Sequence, residues 1–234
     1  MKIKTPTALA MFLLTILPAA SVLADFADVP VEERYKGGIE FLVSEGIING
    51  YPDGTFKPVN TLNRAEMLKI IAAGAGRYFN WPSDLFDAYK NKRCFNDVPT
   101  TVWYTKYVCY GKDKGWIEGY ENGKLFKPAQ PVTFSESLKI TLQAFGIAYA
   151  DESEIWYRPI VRRASKDNLI PFDIKEFHAD LKRNQMADMI ARIIKFKKGN
   201  LEEYLGPRAD LNVTYESIES GIDLTNMDVV ELIP

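Results

Sequence analysis

Catalytic chemistry has few places to reside in this chain. His178 is the only histidine among 234 residues, and it stands two to five residues before an expected helix start. A solvent-exposed turn residue fits that position better than a general base. No serine or cysteine has a plausible base in the pattern, and the many carboxylates include no pair that stands out. The acidic turn Tyr51-Pro52-Asp53-Gly54 lacks the alternating oxygen ligands of a calcium loop. No catalytic residue, metal ligand or cofactor is therefore expected, and the chain is not expected to be an enzyme. What these residue types can do is hold an anion. Arg64 and Arg183 each occupy the expected first position of a helix. There the partial positive charge of the helix end disfavours a guanidinium by about 0.3–1 kcal/mol, and a bound carboxylate reverses the sign.

The elements that must position such groups come from an internal repeat. Phe26, Asp28, Val29 and Pro30 return 69 residues later as Phe95, Asp97, Val98 and Pro99, and Gly46, Gly50-Tyr51 and Gly54 return as Gly115, Gly119-Tyr120 and Gly123. After one inserted residue, Phe56-Lys57-Pro58, Glu66 and Leu68-Lys69-Ile70 fall on Phe126-Lys127-Pro128, Glu136 and Leu138-Lys139-Ile140. Architecture is therefore read from the repeat first. Within a unit, Ile39, Leu42 and Val43 mark a first helix that stops at Gly46, and a turn-rich loop leads to a second helix. Asn63 with Glu66, and Thr133 with Glu136, read as capping boxes that open the second helices. A divergent third unit appears when Trp156-Tyr157 is laid on Trp103-Tyr104. Asn168 then meets Gly115, and Asn is the residue with a β-carbon that best tolerates a left-handed helix stop. One such unit is too small to bury both its helices, so an all-α fold is expected in which three units share a core.

The first 24 residues carry Lys2 and Lys4, the apolar run Ala8 to Leu17, Pro18 and a small-residue end at Ala24. That pattern is a secretory signal peptide, too short in its apolar run for the ~20 residues that cross a bilayer. The mature chain is expected to begin at Asp25 with 27 Lys+Arg against 31 Asp+Glu, a formal −4. No basic patch points to nucleic acid, and no later stretch is long and apolar enough to span a membrane. The expected division is signal peptide 1–24, repeat 25–76, linker 77–93, repeat 94–146, divergent repeat 147–196 and an acidic tail 197–234. The tail is expected as an accessory strand, a docking segment or a partly disordered stretch. Export also places Cys94 and Cys109 where disulfides persist. Pairing them closes a 15-residue loop worth about 3 kcal/mol. Two buried free thiols, or an incomplete metal site, are the alternatives.

These motifs resemble the S-layer homology family, whose repeats carry Phe-x-Asp-Val, a Trp near the first helix, Gly-Tyr-Pro-Asp-Gly-x-Phe-x-Pro and Thr-Arg-Ala-Glu. The first unit reads Phe26-Ala27-Asp28-Val29, Gly50-Tyr51-Pro52-Asp53-Gly54-Thr55-Phe56-Lys57-Pro58 and Asn63-Arg64-Ala65-Glu66. The resemblance covers roughly 26–194 and implies a pseudo-threefold prism whose inter-repeat grooves hold a secondary cell-wall polysaccharide, often pyruvylated. On that reading Arg64 and Arg183 fork the sugar acid, helped by free N–H groups of the first helical turn. Trp103 and Trp156 stack on sugar faces. Asp28 and Asp97 accept hydroxyl hydrogen bonds or cap helices, and Gly50, Gly54, Gly119 and Gly123 allow close backbone approach or merely form turns. Phe134 replaces the arginine in unit two and Arg34 the tryptophan in unit one, so one or two functional grooves are expected.

The resemblance implies a noncatalytic, secreted module at the cell wall or S-layer. The alternatives are an envelope protein–protein interaction module, a small S-layer component and, less favoured, a wall-active hydrolase.

Overall fold

The computed structural model describes residues 26–150 and 153–221, so the expected signal peptide lies outside the described residues. The helices are α1 (Lys36–Ser44), α2 (Arg64–Tyr78), α3 (Thr105–Asp113), α4 (Phe134–Ala144), α5 (Arg158–Lys166), α6 (Arg183–Lys197), α7 (Leu201–Leu205) and α8 (Tyr215–Glu219). Among the described residues there is no β-strand, only isolated bridges. The all-α expectation holds.

Local sequence accounts for the boundaries. The left-handed stops at Gly46 (φ 68°) and Gly115 (φ 70°) recur at Asn168 (φ 52°). Asn63 and Thr133 accept from the N–H of Glu66 and Glu136, whose carboxylates reach back to the cap N–H groups. In unit three the Lys182 N–H donates to the side chain of Gln185, which keeps half of the device.

The paired helices of one unit do not chiefly pack on each other. α3 packs on α2, α5 on α4 and α1 on α6, so each unit's first helix lies on the second helix of its neighbour around a closed circuit. Where the three second helices begin, the main chain closes a ring. The Leu62 N–H donates to the Leu181 carbonyl at 3.0 Å, the Leu181 N–H to Val132 at 2.9 Å and the Val132 N–H to Leu62 at 3.1 Å. All three side chains are buried.

Met186, Met189, Ile190, Ile193 and Ile194 lie at helical spacing on α6 as one apolar stripe, and they are buried. The burial extends to every residue from 183 to 194, because α1, α2 and α7 surround α6. Asp188 and Arg192 survive there as an ion pair at 2.6 Å.

The segment between units one and two is an aromatic wedge. Trp81 stacks on Trp116 at 6.2 Å, and Phe86 and Tyr89 meet Tyr110 edge-on. Beside it Cys94 and Cys109 form the expected disulfide. The described part of the tail is helical rather than a strand, and it packs on the units before it.

Candidate functional site: two open grooves and a filled third

Each of two quasi-equivalent grooves is built by all three units. Groove 1, of about 370 Å³, has the turn Gly46–Tyr51 and the α2 residues Glu66, Lys69, Ile70 and Ala73 as one wall. Unit two adds Trp103 and unit three adds Arg183. Groove 2, of about 210 Å³, repeats the plan with Gly115–Tyr120 and Glu136, Lys139, Ile140 and Gln143 of α4, closed by Trp156 from unit three and Arg64 from unit one. The indoles precede the first helices and are 53% and 45% exposed, free to offer a face. Lys69 and Lys139 lie 5.6 and 5.9 Å from the ring centres of Trp103 and Trp156.

The two arginines are differently satisfied. The Arg64 guanidinium sits over the Tyr120 and Phe126 rings, its Nε donates to the Phe126 carbonyl at 2.9 Å, and Glu136 lies 3.5 Å from Nη1. Arg183 sits likewise over Tyr51 and Phe56, and its Nη2 donates to the Asn49 carbonyl at 2.7 Å. Its Nε, however, is buried with no partner, and among the described residues no carboxylate is in ion-pair contact with it. Burial holds its guanidinium below the ordinary arginine pKa, opposed by Tyr51 and Glu66 nearby. Burial disfavours this cation, and Glu66 offsets that only from outside ion-pair contact.

The expected contribution of free helix-start N–H groups is corrected. The N–H groups of Arg64 and Ala65 donate to Gln130 and Pro128, and those of Arg183 and Asn184 to Asn60 and Pro58. Neighbouring loops occupy them, so these N–H groups are not free for a ligand.

Asp28 and Asp97 act within their own units. Asp28 accepts from the N–H groups of Phe56 and Lys57 at 2.8 Å each, and Asp97 from Phe126 and Lys127 at 2.8 and 2.7 Å. Lys57 and Lys127 have φ of 57° and 59°, so each carboxylate braces a left-handed turn. Gly50 and Gly119 line the grooves, but a β-carbon there would lie 2.2 and 2.4 Å from the rings of Phe26 and Phe95. Packing requires glycine at both positions, and at Gly119 a φ of 83° requires it as well. Gly54 and Gly123, with φ of 79° and 78°, form the turn tips and are not groove-lining. His178 is exposed.

The third groove position is occupied by the chain itself. Phe134 stands where the other grooves receive arginine, Arg34 where they receive tryptophan, and Asp188 where they carry Lys69 or Lys139. The Tyr204 hydroxyl donates to Asp188 at 2.7 Å, and Arg208 donates to the Arg34 carbonyl at 2.9 Å. Leu205 and Leu211 pack against Tyr35 and Phe172. Residues 201–211 thus fill the site.

Sequence reasoning missed Tyr51, Tyr120, Glu66, Glu136, Lys69 and Lys139 as groove walls. Their identity between the first two units was visible, but turn and capping roles accounted for the tyrosines and glutamates, and the lysines counted only as repeat matches.

The two units that carry the open grooves are similar in sequence to a known family. The family model described as S-layer homology domain matches residues 25–68 and 95–136, so two such repeats are identified. The third unit is not matched. S-layer protein EA1 of Bacillus anthracis is 30% identical over 116 residues, 47% of this chain and 12% of that protein. The surface layer protein of Brevibacillus choshinensis is 23% identical over 210 residues, 88% of this chain and 18% of that protein. The outer membrane protein SlpA of Thermus thermophilus is 42% identical over 59 residues, 25% of this chain and 6% of that protein. The chain therefore spans under a fifth of the length of these relatives.

Proposed function

We propose that this chain is a noncatalytic cell-surface anchor that holds an acidic envelope polysaccharide, with groove 1 as the principal site and groove 2 as a second. The observation that carries this reading is Arg183, a buried guanidinium at a groove wall with an unpartnered Nε and, among the described residues, no counter-charge in contact. A carboxylate fits its fork bidentately, and Trp103 beside it offers an apolar face to the sugar ring that bears the acid. A ketal-linked pyruvate has that combination of planar acid and rigid sugar. On this reading the third unit is a diverged S-layer homology repeat. Its arginine serves groove 1 while its own groove is closed.

The test is co-sedimentation of the purified chain with wall polysaccharide from the source organism, before and after chemical removal of the polymer's acidic groups. Binding should fall about tenfold or more on their removal, matching the loss of charge-assisted hydrogen bonds. Binding to neither preparation would overturn the reading and favour a protein partner.

A further inference from the structure

A cleft of about 490 Å³ adjoins groove 1 at Trp103, with Lys90, Thr100, Thr101 and Lys106 in its walls. Lys69, Trp103 and Tyr107 line both cavities, so the half-exposed indole stands where the two meet. Both volumes lie in the range of sites for small ligands. The cleft is also positively charged. Lys90 and Lys106 share one carboxylate, Asp87, at 2.8 and 3.6 Å, while Lys69 faces the Trp103 ring rather than an acid. Its Lys90 edge belongs to the inserted segment between units one and two, held by the aromatic wedge on α3 and adjoining the disulfide.

We infer that groove 1 and this cleft form one extended site for two consecutive units of a linear acidic glycan, the chain passing around Trp103. The first acid group meets Arg183 and the second meets Lys106 and Lys69. Thr100 and Thr101 supply hydroxyls to the second sugar, and the indole offers a stacking face to the units on either side. The inference rests on the polysaccharide reading above and extends it: groove 1 discriminates polymer length as well as charge.

The test uses wall-polysaccharide fragments of one and of two repeating units, with calorimetric titration of the mature chain and of Lys106→Ala, Thr101→Trp and Arg183→Ala. Thr101 is exposed, so tryptophan there fills the cleft without disturbing the core. Wild type should bind the longer fragment about tenfold more tightly than the shorter. Lys106→Ala and Thr101→Trp should each abolish that gain and leave short-fragment affinity unchanged, whereas Arg183→Ala should weaken both fragments. Equal wild-type affinity for the two lengths overturns the extended site and leaves the anchor reading standing. So does a length gain that survives both cleft variants. Wild-type failure to bind either fragment or intact polymer overturns the reading beneath it.

Discussion

The Nη2 of Arg183 donates to the carbonyl of Asn49 across 2.7 Å and 134 residues of chain. An arginine that opens a helix in unit three thereby becomes a wall of the groove in unit one. Arg64 stands in the same relation to unit two, but with Glu136 3.5 Å away. Arg183→Ala should therefore weaken polymer binding about tenfold or more, and Arg64→Ala by less, because its charge is already partly spent. Phe134→Ala should change stability and not binding. Calorimetry on the three variants checks the order, and equal losses from Arg183→Ala and Phe134→Ala would sink the assignment.

Asp28→Ala should cost about 2–4 kcal/mol, since it strands two N–H groups at a turn whose Lys57 has positive φ. Asp97→Ala should behave alike. Denaturant melts measure the loss, and a near-neutral result would remove the bracing role.

Reducing the Cys94–Cys109 bridge releases a loop of 15 residues, with a loss of about 3 kcal/mol. In a domain of this size that lowers the melting temperature by about 6–12 °C. Scanning calorimetry with and without reductant reads it directly.

Leu205→Ala should destabilise the protein by about 2–5 kcal/mol, because the side chain is 2% exposed against Tyr35 and Phe172. Deleting residues 201–221 with everything after them should uncover the third groove position without adding a polymer site. Phe134 stands where arginine is needed. Titration should still give two sites per chain, and a third would show that the arginine is dispensable.

The same contact gives a pH dependence. Burial, then the nearby Asp188, pushes the Tyr204 pKa well above its ordinary 10.0, and burial, then Asp173 and Asp188, does the same to Tyr35. A raised pKa means that the folded state holds the proton more tightly. The stability is fully present below pH 10 and drains away as pH rises towards the folded values. Tyrosinate absorbance should rise together with loss of helix above pH 10, and Tyr204→Phe should remove part of the coupling. Ordinary titration of every tyrosine in the intact fold would contradict it.

Much of this molecule was legible in the residues because the signals are local. The repeat offset shows directly in the residue identities, and the boxes at Asn63–Glu66 and Thr133–Glu136, the left-handed Asn168 and the cysteine pair each depend on neighbours within one unit. The grooves were legible in type but not in assembly. Nothing in the local spacing says that Arg183 serves unit one, since that follows from α1 lying on α6, a long-range choice. Asp28 is equally opaque: an aspartate before a first helix has the look of a cap or a ligand, and only the fold brings Phe56 and Lys57 to it. The filling of the third position depends on Tyr204 reaching Asp188, a match between unrelated segments that no periodicity records.

The ring through Leu62, Val132 and Leu181 leaves this module without a first or last unit. Open repeat arrays can fray from an end, one unit at a time. Here each of the three units is interior, so on the proposed reading a tether pulled at either groove would meet no free edge from which to peel, and the module would give way as a whole or not at all.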